Sequence, residues 1–290
     1  MRLAAAPIYA AYAPIYDAIG QGQFSVRMAV WALAWLAERG IEQPARVLDL
    51  ACGTGAAALV FAAAGCEVTG VDQSALMLDI ARGKMRDAGY DLAFICGDMR
   101  ELPTEDERRT TKDQRMQIDS FSSFVLRPSS FDLVTCFYDS MNYLLDDGDL
   151  GRVCAAVARV LSLAGTMIFD LNTAAEYATW DERDSVTHDG HDCMVYNQLS
   201  YDPDTCLATG RIVWFVREID RWWRGEETHV ERAWSDGEVR AALTGAGLAL
   251  IGRYDATGDL AAADAPRVVY VARRASEDEM INAMERGTQS

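Results

Sequence analysis

One stretch constrains this chain more than any other: Val47-Leu48-Asp49-Leu50-Ala51-Cys52-Gly53-Thr54-Gly55, an apolar strand that runs directly into a two-glycine turn, with an alanine-rich run over 56–64 behind it. Glycine tolerates the left-handed backbone of a tight turn and lets the main chain approach a ligand with no Cβ in the way, so strand, turn and helix together make a nucleotide cradle. From residue 45 onward, short apolar runs over 46–50, 67–71, 92–96, 131–137 and 165–171 alternate with helical patterns over 56–64, 74–88 and 149–161. Ser74 stands where it caps the second helix. Such alternation implies crossover units, hence an α/β fold with a doubly wound, mostly parallel sheet covered on both faces.

Two segments break the rhythm. Residues 105–130 carry a charged run and then a serine–phenylalanine pattern, which reads as a disordered insertion or surface excursion. Residues 174–232 contain three β-rich runs, 193–201, 210–219 and 221–233, separated by turn residues, and read as a small accessory antiparallel sheet. A helix over 235–246 stopped by Gly247, and strands over 248–254 and 267–272, bring the main sheet to seven strands. The chain thus divides into a helical lid over 1–44, a core over 45–173 and 233–274, the accessory sheet, and a flexible tail over 275–290.

Charge and cysteine usage narrow the partners. A net charge of −17, with Lys84 and Lys112 the only lysines, repels phosphate backbones and anionic lipid. The expected partner is a neutral or cationic small molecule, with no nucleic acid and no membrane, acting on a monomer or homodimer. The seven cysteines form no Cys-x-x-Cys pair and no signal-peptide pattern opens the sequence, so reduced thiols in a cytoplasmic protein are expected. No metal site is expected, since His188, His191 and His229 form no tight pair and the first two stand in a polar loop. No Gly-x-Ser-x-Gly elbow is present.

The spacing Asp49-x-Ala51-x-Gly53-x-Gly55 resembles the first motif of the class I S-adenosylmethionine (SAM) methyltransferases, and the rest of the chain resembles a bacterial small-molecule branch with an inserted antiparallel sheet. The resemblance spans 12–273 except 105–130. It implies a Rossmann-like sheet and SAM as cofactor, with Asp49 near its amino acid end, Gly53 and Gly55 under its ribose, and Ala51 and Gln73 among the residues that bind it. Ala51 departs from the glycine of many relatives, and Gln73 after the ribose aspartate is a second departure. Asp72 ends the second strand seventeen residues past Gly55, where an acidic side chain reaches both ribose hydroxyls. Met77, one turn later, packs either on adenine or in the core. By resemblance, Asp98 accepts from the adenine amino group while the Met99 amide meets a ring nitrogen; its plain alternative is a turn aspartate.

The segment 137–144, with its Asp-Ser-x-Asn-Tyr order, resembles the family's acceptor edge. Tyr138 and Asp139 either position a nucleophile and offset the sulfonium charge or cap a helix with an aromatic plug. Tyr16 resembles a lid tyrosine. His229, within 226–234, is either a general base on an acceptor amine or hydroxyl or a structural strand histidine. Trp214, Trp222 and Trp223 either wall an acceptor pocket or fill the accessory sheet.

Methyl transfer to a small molecule by in-line displacement needs alignment more than strong side-chain chemistry, which suits a clear cofactor site without a catalytic triad. The rival is an NAD(P)-dependent oxidoreductase, because Gly53-x-Gly55-x-x-Ala58 formally satisfies the dinucleotide fingerprint. Against it stand the missing Tyr-x-x-x-Lys pair and the acidic residue inside the first strand. A non-catalytic SAM-binding protein is the third reading.

Overall fold

A computed structural model describes residues 9, 11–102, 126, 130–180 and 183–276. After a short helix α1 (Ala13–Tyr16) and a long one, α2 (Gln23–Glu38), the chain alternates β1 (Arg46–Leu50), α3 (Ala56–Ala63), β2 (Glu67–Asp72), α4 (Ala75–Asp87), β3 (Ala93–Cys96), β4 (Phe131–Cys136), α5 (Asp149–Val160) and β5 (Leu161–Asn172). A short α6 (Ala174–Tyr177) leads to β6 (Arg183–Asp189), β7 (Cys193–Asp202), β8 (Leu207–Glu218) and β9 (Arg221–Arg232). Helix α7 (Asp236–Gly245) and strands β10 (Leu248–Tyr254) and β11 (Arg267–Arg274) complete the described chain.

The main sheet has seven strands in the order β10-β11-β5-β4-β1-β2-β3. β1 to β5 pair in parallel and β11 runs antiparallel to both β5 and β10. Alternation sorts its side chains into two layers. Val47, Leu133, Ile168, Val269 and Val271 pack with α2 and α3, whereas Leu48, Leu50, Val134, Met167, Phe169 and Tyr270 pack with α5 and α7. With both faces covered, the strands read as continuous apolar runs, as parallel sheets do. Helix ends follow local chemistry: the Ser74 side chain accepts from the Met77 amide, and Ser235 with Glu238 forms a reciprocal capping box on α7.

Three expectations change in detail. The accessory sheet has four antiparallel strands, β6-β7-β8-β9; β6 (Arg183–Asp189) contains His188, which the sequence places in a polar loop. As an edge strand it needs neighbours on one side alone, so its backbone pairing with β7 does not demand an apolar pattern. β5 begins at Leu161, directly at the end of α5. The first 44 residues are not all lid, because α2 buries Met28, Ala29, Ala32, Trp35 and Leu36 in the core beside α3. The 105–130 insertion lies outside the described residues apart from Leu126, which is buried in the core beside α5, and Ser130; of the tail only Ala275 and Ser276 are described.

Close packing fixes the position of β2 against β3. Gly70 sits opposite Phe94 in register, and a Cβ there would lie 2.7 Å from the Phe94 ring and 2.8 Å from Cys52 Sγ. Overpacking of this kind typically costs about 1–3 kcal/mol. Gly70→Ala is expected to lower unfolding stability by that order in urea denaturation; wild-type stability would show that the ring and thiol relax freely.

Candidate active site

The carboxyl ends of β1, β2, β3 and β4 open into one cavity of about 420 Å3 that the amino-terminal segment and β9 cover. Of the residues singled out by sequence, Tyr16, Ala51, Gly53, Asp72, Gln73, Met77, Met99 and Tyr138 line it. Gly55, Asp49, Asp98, Asp139 and His229 stand behind the wall, each held by other contacts.

The glycine turn is built as the sequence requires. Ala51, Gly53 and Gly55 all have positive φ, at 51°, 53° and 75°, and a Cβ added at Gly53 would meet nothing within 4 Å. That open space is the cradle itself, and a side chain would fill it. Asp72 ties the turn to the next strand: Oδ2 accepts from the Gly53 amide and Oδ1 from the Ser74 amide, both at 2.8 Å. Burial pushes its carboxyl up while the two amides pull it back. Each oxygen keeps a lone pair, which suits the two hydroxyls of a ribose.

Two aspartates face elsewhere. Asp98 is gripped by the Arg100 guanidinium, with Nη2 to Oδ2 at 2.6 Å and Nε to each oxygen at 3.0 Å, and Arg100 also reaches Asp149 at 2.7 Å. Burial alone would raise the Asp98 carboxyl, but the Arg100 bonds and charge outweigh it and hold it below the usual range. Gly97, Met99 and Arg100 line the cavity in its place. Asp49 is almost wholly buried; Oδ1 accepts from Thr135 Oγ1 at 2.8 Å and Oδ2 has no partner. Burial pushes its carboxyl up to about 7, partly offset by the Thr135 bond.

On the far side, the chain leaves β4 through two strained residues, Tyr138 and Asp139, with φ of 64° and 51°. Asp170, fully buried on β5, holds both: Oδ1 takes the Tyr138 amide at 2.7 Å and Oδ2 the Asp139 amide at 3.0 Å. Arg267 on β11 then pairs with Asp170 and, at 2.7 Å, with Asp139. Burial raises the Asp170 carboxyl, with Arg267 opposing it. Tyr138 stacks on Phe24 with ring centroids 5.4 Å apart and donates its hydroxyl to Gln21. Asp139 therefore fixes the loop and does not face the cavity.

His229 lies between two partners, with Nδ1 2.8 Å from the Tyr143 hydroxyl and Nε2 3.2 Å from Glu227. Tyr143 and Tyr9 line the cavity, and their hydroxyls meet at 2.9 Å. Glu231, two residues beyond His229, is bonded by the Tyr177 hydroxyl at 2.5 Å; burial and the nearby Asp139 charge push its carboxyl up to about 8. None of the three tryptophans walls the cavity: Trp214 packs against Tyr12, 5.1 Å between rings, and Trp222 and Trp223 are exposed on the β8–β9 hairpin.

Several contributors carried no local sequence signal. Glu227 accepts the backbone amides of Tyr9, Ala11 and Tyr12 at 2.8, 2.8 and 3.1 Å, tying the amino-terminal segment down over the cavity. The other end of that segment is latched to the glycine turn, where Asp17 accepts from Thr54 at 2.7 Å and pairs with Lys84 at 2.7 Å. Lys84 is one of two lysines in the chain, and that scarcity was the one available hint. Arg267 and Asp170 stand in strands that sequence marks only as core.

Comparison with known proteins agrees with this geometry. Residues 47–111 match the family model described as a methyltransferase domain. The chain is 28% identical over 243 residues to the putative methyltransferase YqeM of Bacillus subtilis, covering 84% of this chain and 87% of that protein. Its fold is that of a SAM-dependent methyltransferase from Clostridium acetobutylicum, with TM-score 0.73 and 24% identity over 93% of this chain and 100% of the other. It is also similar to SAM-bound CalS10, an amino pentose methyltransferase from Micromonospora echinaspora, with TM-score 0.63 and 18% identity over 94% and 100%. Among the described residues no helix is long and apolar enough to cross a membrane.

Asp49 makes a testable pH signature. Its folded carboxyl titrates near 7 and an unfolded aspartate near ~3.9, so the stability it contributes is intact below the lower value and is lost as pH rises through the higher one. Asp49→Asn, which does not titrate, should gain on the wild type by up to about 1.4 kcal/mol per pH unit between pH 4 and 7 and then hold a constant difference. Guanidinium denaturation at pH 4.5, 6 and 8 measures this; a difference independent of pH would mean that Asp49 stays ionised.

Proposed function

We propose that this chain, which carries a methyltransferase domain on a class I SAM-dependent methyltransferase fold, holds SAM in the cavity at the strand ends and methylates a small-molecule acceptor beneath its accessory sheet. The observation that carries the reading is the union of three strand ends in one wall: the open cradle at Gly53, the twice-bonded Asp72 carboxylate and the Gly97–Arg100 turn line a single cavity with Tyr138 opposite. Among the described residues that line the cavity, none conflicts with the cofactor. Asp72 would hold the ribose, Met77 and Met99 the adenine faces, and Ala51 with Gly53 the backbone approach.

Bound SAM supplies a methyl group already activated by its sulfonium. What the protein adds is alignment and dryness. The Tyr9–Asp17 segment, latched at Glu227 on one side and at Thr54 and Lys84 on the other, closes the cavity from above. Tyr16, Tyr138 and Tyr143 line the cavity, and the face of a phenol ring attracts a sulfonium or ammonium electrostatically. A cytoplasmic setting fits the seven unpaired cysteines.

The reading is tested by titrating the protein with SAM and with its demethylated product in a calorimeter. Gly53→Val fills the cradle and strains a positive φ, and Asp72→Ala removes the ribose carboxylate. Each should weaken binding at least ~10-fold, about 1.4 kcal/mol. Undiminished affinity in both variants would sink the assignment, and SAM binding without any transfer of labelled methyl across an amine, phenol and carboxylate library would favour a sensing role.

A further inference from the structure

On the tyrosine side of the cavity one carboxylate sets the direction of a hydrogen-bond chain that runs through a neutral His229. Glu227 receives three backbone amides, and although burial alone would raise its carboxyl, those amides and His229 hold it below the ordinary range. An ionised carboxylate only accepts, so His229 must donate Nε2–H to it across 3.2 Å. A neutral ring protonated at Nε2 has a bare Nδ1, so the Tyr143 hydroxyl, 2.8 Å away, must donate to that nitrogen. Tyr143 has then spent its proton and accepts from Tyr9 at 2.9 Å. With His229 neutral, the hydrogens along Tyr9, Tyr143 and His229 run in one direction toward Glu227, and the Tyr143 oxygen, which lines the cavity, is also bonded to Glu231.

Such a chain accepts protons from the cavity and has nowhere to deliver them back while His229 is neutral. Its surroundings select the donor. The tyrosine side has Glu227, Glu231, Asp139 and Asp170 close by, the last two paired with Arg267, so a cation is favoured over an anion even with Glu231 protonated. Tyr9, Tyr16, Tyr138 and Tyr143 wall the same space with aromatic rings.

Resting on the methyltransferase reading, we propose that the acceptor is an amine that enters as its ammonium form and gives up a proton to the Tyr143 oxygen as Tyr143 passes its own to His229 Nδ1. The N–H bond of the ammonium breaks and leaves its pair on nitrogen, an N–H bond forms on His229, and the resulting imidazolium is paired with Glu227. The freed nitrogen pair then forms the N–CH3 bond as the S–CH3 bond breaks with its pair retained by sulfur. Tyr143 is the catalytic residue here; His229 and Glu227 act through it. The groups facing His229 are Tyr9 from the amino-terminal segment, Tyr143 from the turn after β4, and Glu227 and Glu231 from β9, with the Asp139–Arg267 pair beyond; β8 sets Gly210 opposite and adds no charge.

Two measurements test this. The first needs no acceptor: the chain has three histidines, so its 15N-histidine spectrum resolves His229, which should be the Nε2–H tautomer with a hydrogen-bonded Nδ1 whose shift changes in Tyr143→Phe. An Nδ1–H tautomer would overturn the proposal. The second follows transfer of labelled methyl from SAM to glucosamine, tyramine and spermidine, with glucose and tyrosol as hydroxyl counterparts. Amines should be methylated and the alcohols not. On the acid side, wild-type kcat/KM should level off well below the amine's own ionisation, whereas Tyr143→Phe and His229→Asn, needing free amine, should climb tenfold per pH unit and fall ~100-fold or more short near pH 7. Parallel pH profiles for all three proteins, or transfer to the alcohols alone or to none of the compounds, would overturn it. SAM titration of the same preparations separates these outcomes from failure of the cofactor reading: intact SAM binding with a failed profile rejects the relay alone.

Discussion

The interaction on which this site depends is a carboxylate, wholly buried at Asp170 and partly buried at Asp72 and Glu227, that collects backbone amides from a neighbouring loop. It occurs three times around one cavity. Asp72 at the end of β2 takes the amides of Gly53 and Ser74, Asp170 on β5 takes those of Tyr138 and Asp139, and Glu227 on β9 takes those of Tyr9, Ala11 and Tyr12. Loops at the carboxyl edge of a parallel sheet have no ladder to satisfy their amides, and an unpaired buried amide costs about 1–3 kcal/mol. A charged acceptor serving two or three amides removes that cost and fixes the loop's position in one step. The glycine turn after β1, the turn after β4 and the covering segment are each positioned in this way.

The clamp at Asp170 also supports the strain beside it. Two consecutive non-glycine residues with positive φ, Tyr138 and Asp139, cost of order 1–3 kcal/mol each and persist only where the surroundings determine them. Arg267 makes that determination complete, because it neutralises Asp170 and holds Asp139 as well. A carboxylate this deep would otherwise be driven to its neutral form by desolvation and would lose strength as an amide acceptor. The reversed strand β11 thus has a part in the site although none of its residues lines the cavity: it delivers the cation that keeps the β4 loop in its strained turn.

The fold was legible because burial on both faces writes itself into the strands. Val47 against Leu48 and Ile168 against Phe169 are apolar whichever way they point, and the two positive-φ glycines mark the turn. Cavity-lining residues close to those signals, such as Gly53, Asp72 and Met77, were legible for the same reason. Asp98 was legible as a strand-end aspartate, but its engagement by Arg100 two residues later was not, since a two-residue spacing carries no orientation by itself. β6 escaped because an edge strand pairs through its backbone and needs no apolar pattern. Glu227 and Arg267 escaped for a deeper reason: their partners lie 218 and 128 positions away in the chain, and only the fold brings them together.

Strong net acidity acquires a local meaning from these contacts. The carboxylates nearest the cavity are spent on amides or on Arg267 and Arg100, so few remain as bare charge on its wall, while their summed potential still reaches the space between the tyrosines. A cavity built this way favours positive ligands without binding them through a direct, strongly hydrated ion pair, which would resist release. It also separates two demands that conflict in methyl transfer: a cationic cofactor must be held beside an acceptor that must lose its own charge before it can attack. Aromatic walls tolerate the first charge, and a hydrogen-bond chain directed toward Glu227 removes the second.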